Sequence, residues 1–197
     1  MMQYKITLIK LNRGSDILPP SKGKRTEGNS ISKLWKEIPE ELRTEVFKPR
    51  SRDFDIEAVA FLITELDDVV IYSSNYDRDT DKFGSMYVAA KQNVVEIKEL
   101  KTANSIDFVF HGVTKKIEIP TKPVLITWLD AISNHTAGTP EEIMEKSKIT
   151  PIYFAGFLIG IANDALYVAT AYNKEVNKYR GILIIPLMNV VSVELLV

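Results

Sequence analysis

Cysteine is missing from the 197-residue chain altogether. That excludes disulfides, thiolate metal sites and a cysteine nucleophile, and it fits a reducing cytoplasm or a hot one. Histidine is scarce too, limited to His111 and His135. Neither has a second histidine, or a carboxylate four residues on, to complete metal-ligand spacing. Both read as surface or capping residues. The formal net charge of −1 supplies no global attraction to nucleic acid or acidic membrane. No apolar run reaches the roughly 18 residues that a bilayer span needs. The opening MMQYKITLIKL lacks the basic-then-apolar plan of a signal peptide. A soluble, cytoplasmic protein is the expectation. No glycine-rich phosphate loop, nucleophile elbow or His-Glu-x-x-His helix occurs, so the chain points to no enzyme class and no cofactor. Its many Ile, Lys and Glu residues lean toward a thermophilic source.

What the chain does contain is itself, twice. Residues Gly156–Leu196 repeat Ala60–Leu100 at a constant shift of 96 without a gap. Identities fall at Phe61-Leu62-Ile63/Phe157-Leu158-Ile159, Asp68/Asp164, Tyr76/Tyr172, Lys82/Lys178, Asn93-Val94-Val95/Asn189-Val190-Val191 and Leu100/Leu196. A long match in fixed register marks an internal repeat. It divides the chain into residues 1–102 and 103–197.

Alternation predicts four strands in the first copy, near Ile56–Leu66, Val69–Tyr76, Gly84–Ala90 and Val94–Leu100. Those in the second copy lie near Ile152–Ala162, Leu166–Tyr172, Gly181–Ile185 and Val190–Leu195. Upstream of each, a hairpin is expected, Gln3–Leu11 with Ile17-Leu18 and Ile106–Phe110 with Lys116–Ile119. Short helices follow. Ser30 can cap one carrying Ile31, Leu34, Trp35 and Ile38, and Pro39-Glu40-Glu41 can restart it. Pro123 opens one with Val124, Leu125, Trp128, Leu129 and Ile132 on one face, and Thr139-Pro140-Glu141-Glu142 starts another. The last strands are too apolar for open edges. The expected fold class is therefore α+β, mostly β. It is a tandem duplication of two small, partly open β-barrels, each preceded by a hairpin and short helices.

The meander resembles the Sm/LSm (Sm-like) fold, a bent five-stranded SH3-type barrel. The residues that carry the likeness are Gly181–Val193 and Ser85–Ile97, each a strand, a short turn ending in Asn189 or Asn93, and a closing strand. The resemblance implies such a barrel in each half. RNA-binding members of the family carry Arg-Gly just before the Asn; here the positions hold Pro186-Leu187 and Ala90-Lys91.

Two stretches are candidates for chemistry. Asp77, Asp79 and Asp81 alternate like the start of a calcium loop, or like the Asp-x-Asp of metal-dependent transferases. However, Lys82 and Val88 stand where a calcium loop needs Gly and Glu. A solvated hairpin tip is the plainer reading. Lys48, Arg50 and Arg52, flanked by Phe47 and Phe54, are the local basic concentration, and Arg78, Lys82, Lys178 and Arg180 extend it to the long barrel loops. Interleaved aromatics could stack bases while the cations hold phosphates. Residues 21–52 carry +4 and residues 64–81 carry −5, so an internal match of these surfaces explains the basic run equally well. The sequence thus favours a non-enzymatic binding or scaffold module. Single-stranded nucleic-acid binding is the first alternative and a metal-dependent transferase the second. A protein or a nucleic acid is the expected partner, with self-association left open.

Overall fold

The computed structural model describes residues 4–11, 16–17, 26–27, 55–105, 117–129 and 151–197. Among these residues fifteen strands and two 3-10 turns make up the regular structure. In chain order they are β1 (Lys5–Leu11), β2 (Asp16–Ile17), β3 (Thr26–Glu27), β4 (Ile56–Glu65), β5 (Val69–Ser73), β6 (Asn75–Asp77), β7 (Lys82–Phe83) and β8 (Met86–Ala90). After the turn Lys91–Asn93 come β9 (Val94–Glu99), β10 (Thr102–Ser105), β11 (Ile117–Leu129), β12 (Pro151–Ala162), β13 (Ala165–Asn173) and β14 (Lys178–Pro186). The turn Leu187–Asn189 leads into β15 (Val190–Leu196). All fifteen belong to one hydrogen-bonded sheet. The chain is mostly β.

Both halves use five principal strands in the same order. Across the first it is β9-β1-β4-β5-β8, and across the second β15-β11-β12-β13-β14. Registers coincide as well. Leu8 faces Val59 and Lys98, while Leu125 faces Ala155 and Glu194. The partners are 96 apart in both cases, although Leu8 and Leu125 are 117 apart. Even the irregularities recur, at Leu62/Thr64 and Leu158/Gly160, and at Lys10/Leu11 and Thr127/Trp128. Bulges re-aim strands and belong to a fold's design, so their recurrence is a stronger match than strand count.

These registers correct two sequence-based expectations. The counterpart of the amino-terminal strand is β11, not Ile106–Phe110, and the helix expected from Pro123 is a strand as far as Leu129. The apolar run Val124, Leu125, Trp128, Leu129 suits either period. Burial on two faces decides, with Val124 and Ile126 in one core and Leu125 in another. The β-branched Val124, Ile126 and Thr127 fit that two-sided pleat. The first hairpin is corrected too, because β2 pairs with β8 rather than with β1. The helices expected from Ser30 to Phe47 and from Thr139 onward, and the strand at 106–110, lie outside the described residues.

Three cores follow from the pleat. Ile9, Ala58, Ala60, Val70, Tyr72 and Ala89 fill the inside of the first half. Ile126, Phe154, Leu158, Leu166, Val168 and Ile185 fill the second. The opposite faces of β4 and β12 supply a third core that both halves share, with Val59, Phe61 and Leu100 from one and Ala155, Phe157 and Leu196 from the other. A strand buried on both sides needs a continuous apolar run; Ala58-Val59-Ala60-Phe61-Leu62 and Phe154-Ala155-Gly156-Phe157-Leu158 provide it.

Candidate binding surfaces

Backbone pairing joins the halves at several places among the described residues. Ala58 faces Ala171 and Glu57 faces Tyr172, while Phe154 faces Asn75 and Tyr153 faces Tyr76. Moving the first residue of each earlier pair forward by 96, and the second back by 96, gives the later pair. Lys101 and Val197, themselves 96 apart, exchange N–H···O bonds of 2.9 Å in both directions. That reciprocity is the pattern of a two-fold contact between identical subunits. A small cavity of about 20 Å³ lies at the seam, lined by Ala58, Ala60, Tyr72, Ser74, Tyr87 and Thr170. The Ser74 hydroxyl is buried without a protein partner, and the space suits one water molecule.

The hairpin tips are built alike. In the first, an Asp77 Oδ1 atom accepts the Asp79 and Thr80 N–H groups at 3.1 and 3.3 Å. Asp81 lies in the left-handed region (φ 52°) and accepts the Tyr76 hydroxyl at 3.0 Å. In the second, Asn173 Oδ1 accepts the Val176 N–H at 3.2 Å. Asn177 (φ 49°) accepts the Tyr172 hydroxyl at 3.0 Å. Asp and Asn tolerate this backbone region better than other side chains. An amide oxygen therefore does at one tip what a carboxylate does at the other, and the turn does not require the charge. Asp79 is exposed. Among the described residues no group of three or more His, Cys, Asp or Glu is placed to hold a metal ion.

Behind the first tip, Tyr4 packs edge-on against Phe83 and Tyr76 at 4.6 and 5.3 Å between ring centres. Behind the second, Tyr172 stacks on Tyr179 at 4.8 Å, and the Tyr179 hydroxyl is hydrogen-bonded to that of Thr121. Burial, reinforced by the hydrogen bond and negative charge of Asp81, pushes the Tyr76 hydroxyl up to about 12. Burial and then Asp81 raise Tyr4 as well. An unfolded tyrosine ionises near 10. Between about 10 and 12 the unfolded chain thus releases a proton that folded Tyr76 retains, and stability falls as pH rises. The contribution is whole below pH 10. Urea titrations at pH 9 and at pH 11.5 should show a loss for the wild type that exceeds the loss for Tyr76→Phe by about 2 kcal/mol. Equal losses in both proteins would remove Tyr76 as the cause.

Of the basic candidates, Arg78, Lys178 and Arg180 are exposed and Lys82 is half-buried. They divide between the two tips, with Lys82 opposite Asp77 and Lys178 opposite Asn173. Lys48, Arg50 and Arg52 lie outside the described residues, so the balance between the basic run and the acidic hairpin lies there too. Sequence reasoning missed the tyrosine-to-turn bonds. Their signal was the identity Tyr76/Tyr172 with Asp81/Asn177 five residues on. No helix among the described residues is long and apolar enough to cross a membrane. No protein-family model, curated protein or solved structure matches the chain.

Proposed function

We propose that the protein is a non-enzymatic binding or scaffold module, an internal pseudo-dimer of two small Sm-like, SH3-type barrels descended from one duplicated unit. The observation that carries this reading is the reciprocal seam, in which Ala58–Ala171 and Phe154–Asn75 are one contact made twice. A last strand that returns to pair with the first, as β9 does with β1 and β15 with β11, is the connection that closure of a small barrel requires. Each closing strand follows a 3-10 turn ending in Asn, at Asn93 and Asn189. Such a body is rigid and presents two like hairpin tips. Tips of this kind suit recognition, with loops carrying contacts on a fixed frame.

Titration with a fluorescent uridine-rich oligonucleotide and a matching DNA tests the reading against its nucleic-acid alternative. The scaffold reading expects no signal that falls steeply with salt. Binding that is steeply salt-dependent, and is lost when Arg78, Lys82, Lys178 and Arg180 are replaced together by Ala, would assign the tips to nucleic acid instead.

A further inference from the structure

Hydroxyl groups from both halves converge on the small cavity at the seam, and they do not satisfy one another. Ser74 and Thr170 are the same position in the two copies, 96 apart, and both line the cavity together with Tyr87. Thr170 Oγ1 donates to the Arg180 carbonyl at 3.2 Å, so its proton is used and only its lone pairs remain. The Tyr87 hydroxyl reaches that oxygen across 3.5 Å. Two hydroxyls normally close to about 2.7–2.8 Å, so this contact is slack. Ser74 is 1% exposed, and its hydroxyl has no partner among the described residues. A hydroxyl buried in this way gives up its bonds to solvent on folding and gains none in exchange.

We propose that the cavity is the site of one resident water molecule that ties the halves together, accepting from Ser74 Oγ and Tyr87 Oη and donating to Thr170 Oγ1. The volume of about 20 Å³ exceeds the roughly 10–15 Å³ that one water needs and is too small for a larger ligand. Three polar partners are the usual complement of a buried water. Donors and acceptors balance, since Thr170 has only lone pairs to offer while Ser74 and Tyr87 each have a proton. A bridge of this kind is enthalpically close to a direct hydrogen bond. It turns one slack contact into a relay from the bend after β5, through Thr170 on β13, to the backbone of β14 at Arg180. Side chains then cross the seam beside the backbone ladders. The corresponding corner of the second half offers no such site. There the equivalents of Ala58 and Tyr87 are Phe154 and Leu183, a ring and an aliphatic chain. One bridging water is expected, not a symmetric pair. The inference concerns the seam alone and stands whatever the hairpin tips bind.

A high-resolution crystal structure of the full chain tests it, together with oxygen-17 relaxation dispersion, which counts long-lived waters in solution. The crystal should show one ordered water within hydrogen-bond distance of Ser74 Oγ, Tyr87 Oη and Thr170 Oγ1. Ser74→Val removes the hydroxyl and fills the space, so the dispersion amplitude should drop by one long-lived water while the native circular dichroism is kept. If the valine disturbs folding, Ser74→Ala removes the hydroxyl without added bulk and carries the same expectation. A dry cavity in the crystal, a Ser74 hydroxyl bonded directly to a protein carbonyl, or a dispersion profile unchanged by loss of the Ser74 hydroxyl would each overturn the proposal.

Discussion

Gly156→Ala should cost at least about 3 kcal/mol of stability, a large loss for one methyl group in a strand. A Cβ placed there would stand 2.5 Å from the Ala169 carbonyl oxygen and 2.4 Å from a ring carbon of Phe154. The ring can turn aside at some cost, but the carbonyl cannot, because the β12–β13 ladder that pairs Phe157 with Ala169 holds it in place. Overpacking of this kind forces a backbone shift. Comparison with the equivalent place in the first half shows why glycine fits here. Its counterpart is Ala60, whose neighbour two residues back is Ala58 rather than Phe154, so the first half divides the space between two methyl groups. The second half fills the same space with one ring and leaves nothing at the next inward position. The double variant Phe154→Ala/Gly156→Ala restores the arrangement of the first half. Its loss, measured by urea unfolding, should be smaller than the sum of the two single losses. Strict additivity would mean that ring and methyl do not compete, and a Gly156→Ala protein of wild-type stability would discard the account.

The same comparison of halves shows what the sequence made legible. Seven of the eight strands expected in the two meanders are present with ends within a few residues, and the expected Val69–Tyr76 is broken at Ser74 into β5 and β6; an ungapped shift carries the turns with it. The short turns at Asp67-Asp68 and Asn163-Asp164 and the 3-10 turns ending in Asn93 and Asn189 fall where the repeat puts them. The first strand of each unit was hidden. Its shift is 117 rather than 96, since the connections to the second strand, residues 12–55 and 130–150, differ in length. The two strands also share few residue types, with Tyr4 matched by Thr121 and Leu8 by Leu125. A doubly buried strand has no alternation to read, and Val124-Leu125-Ile126 is doubly buried. The tips were legible as turns, while the roles of Asp77 and Asp81 were not. A carboxylate written Asp-x-Asp-x-Asp looks like a ligand set until hydrogen bonds show two of the three engaged by backbone and tyrosine. The seam escaped notice for a further reason. Its ladders are made by backbone pairing, which leaves little mark on side-chain identity, and the core beside them is built from residues that read simply as buried strand.

Phe61→Ala should cost about 3–5 kcal/mol, and so should Phe157→Ala. The two phenylalanines occupy equivalent places in the core that the halves share, 0% and 3% exposed. Each leans on its own tip tyrosine, Phe61 on Tyr76 at 5.7 Å and Phe157 on Tyr172 at 6.0 Å between ring centres. The size of the loss is ordinary for a buried ring; how it is distributed is the informative part. A shared core makes neither half stable without the other, so a cavity opened in one must lower the melting of both. Trp128 reports on the second half, where it packs on the inner core, and Trp35→Phe would leave it as the only tryptophan. In that background Phe61→Ala should shift the Trp128 fluorescence transition and the circular dichroism transition together, in one cooperative step. Two separated transitions, with Trp128 unfolding at its original denaturant concentration, would show the halves to be independent domains joined by a thin seam. In that case the doubled unit would gain nothing from its partner but tethering, and a repeat kept in register through every bulge would have no energetic reason for staying so.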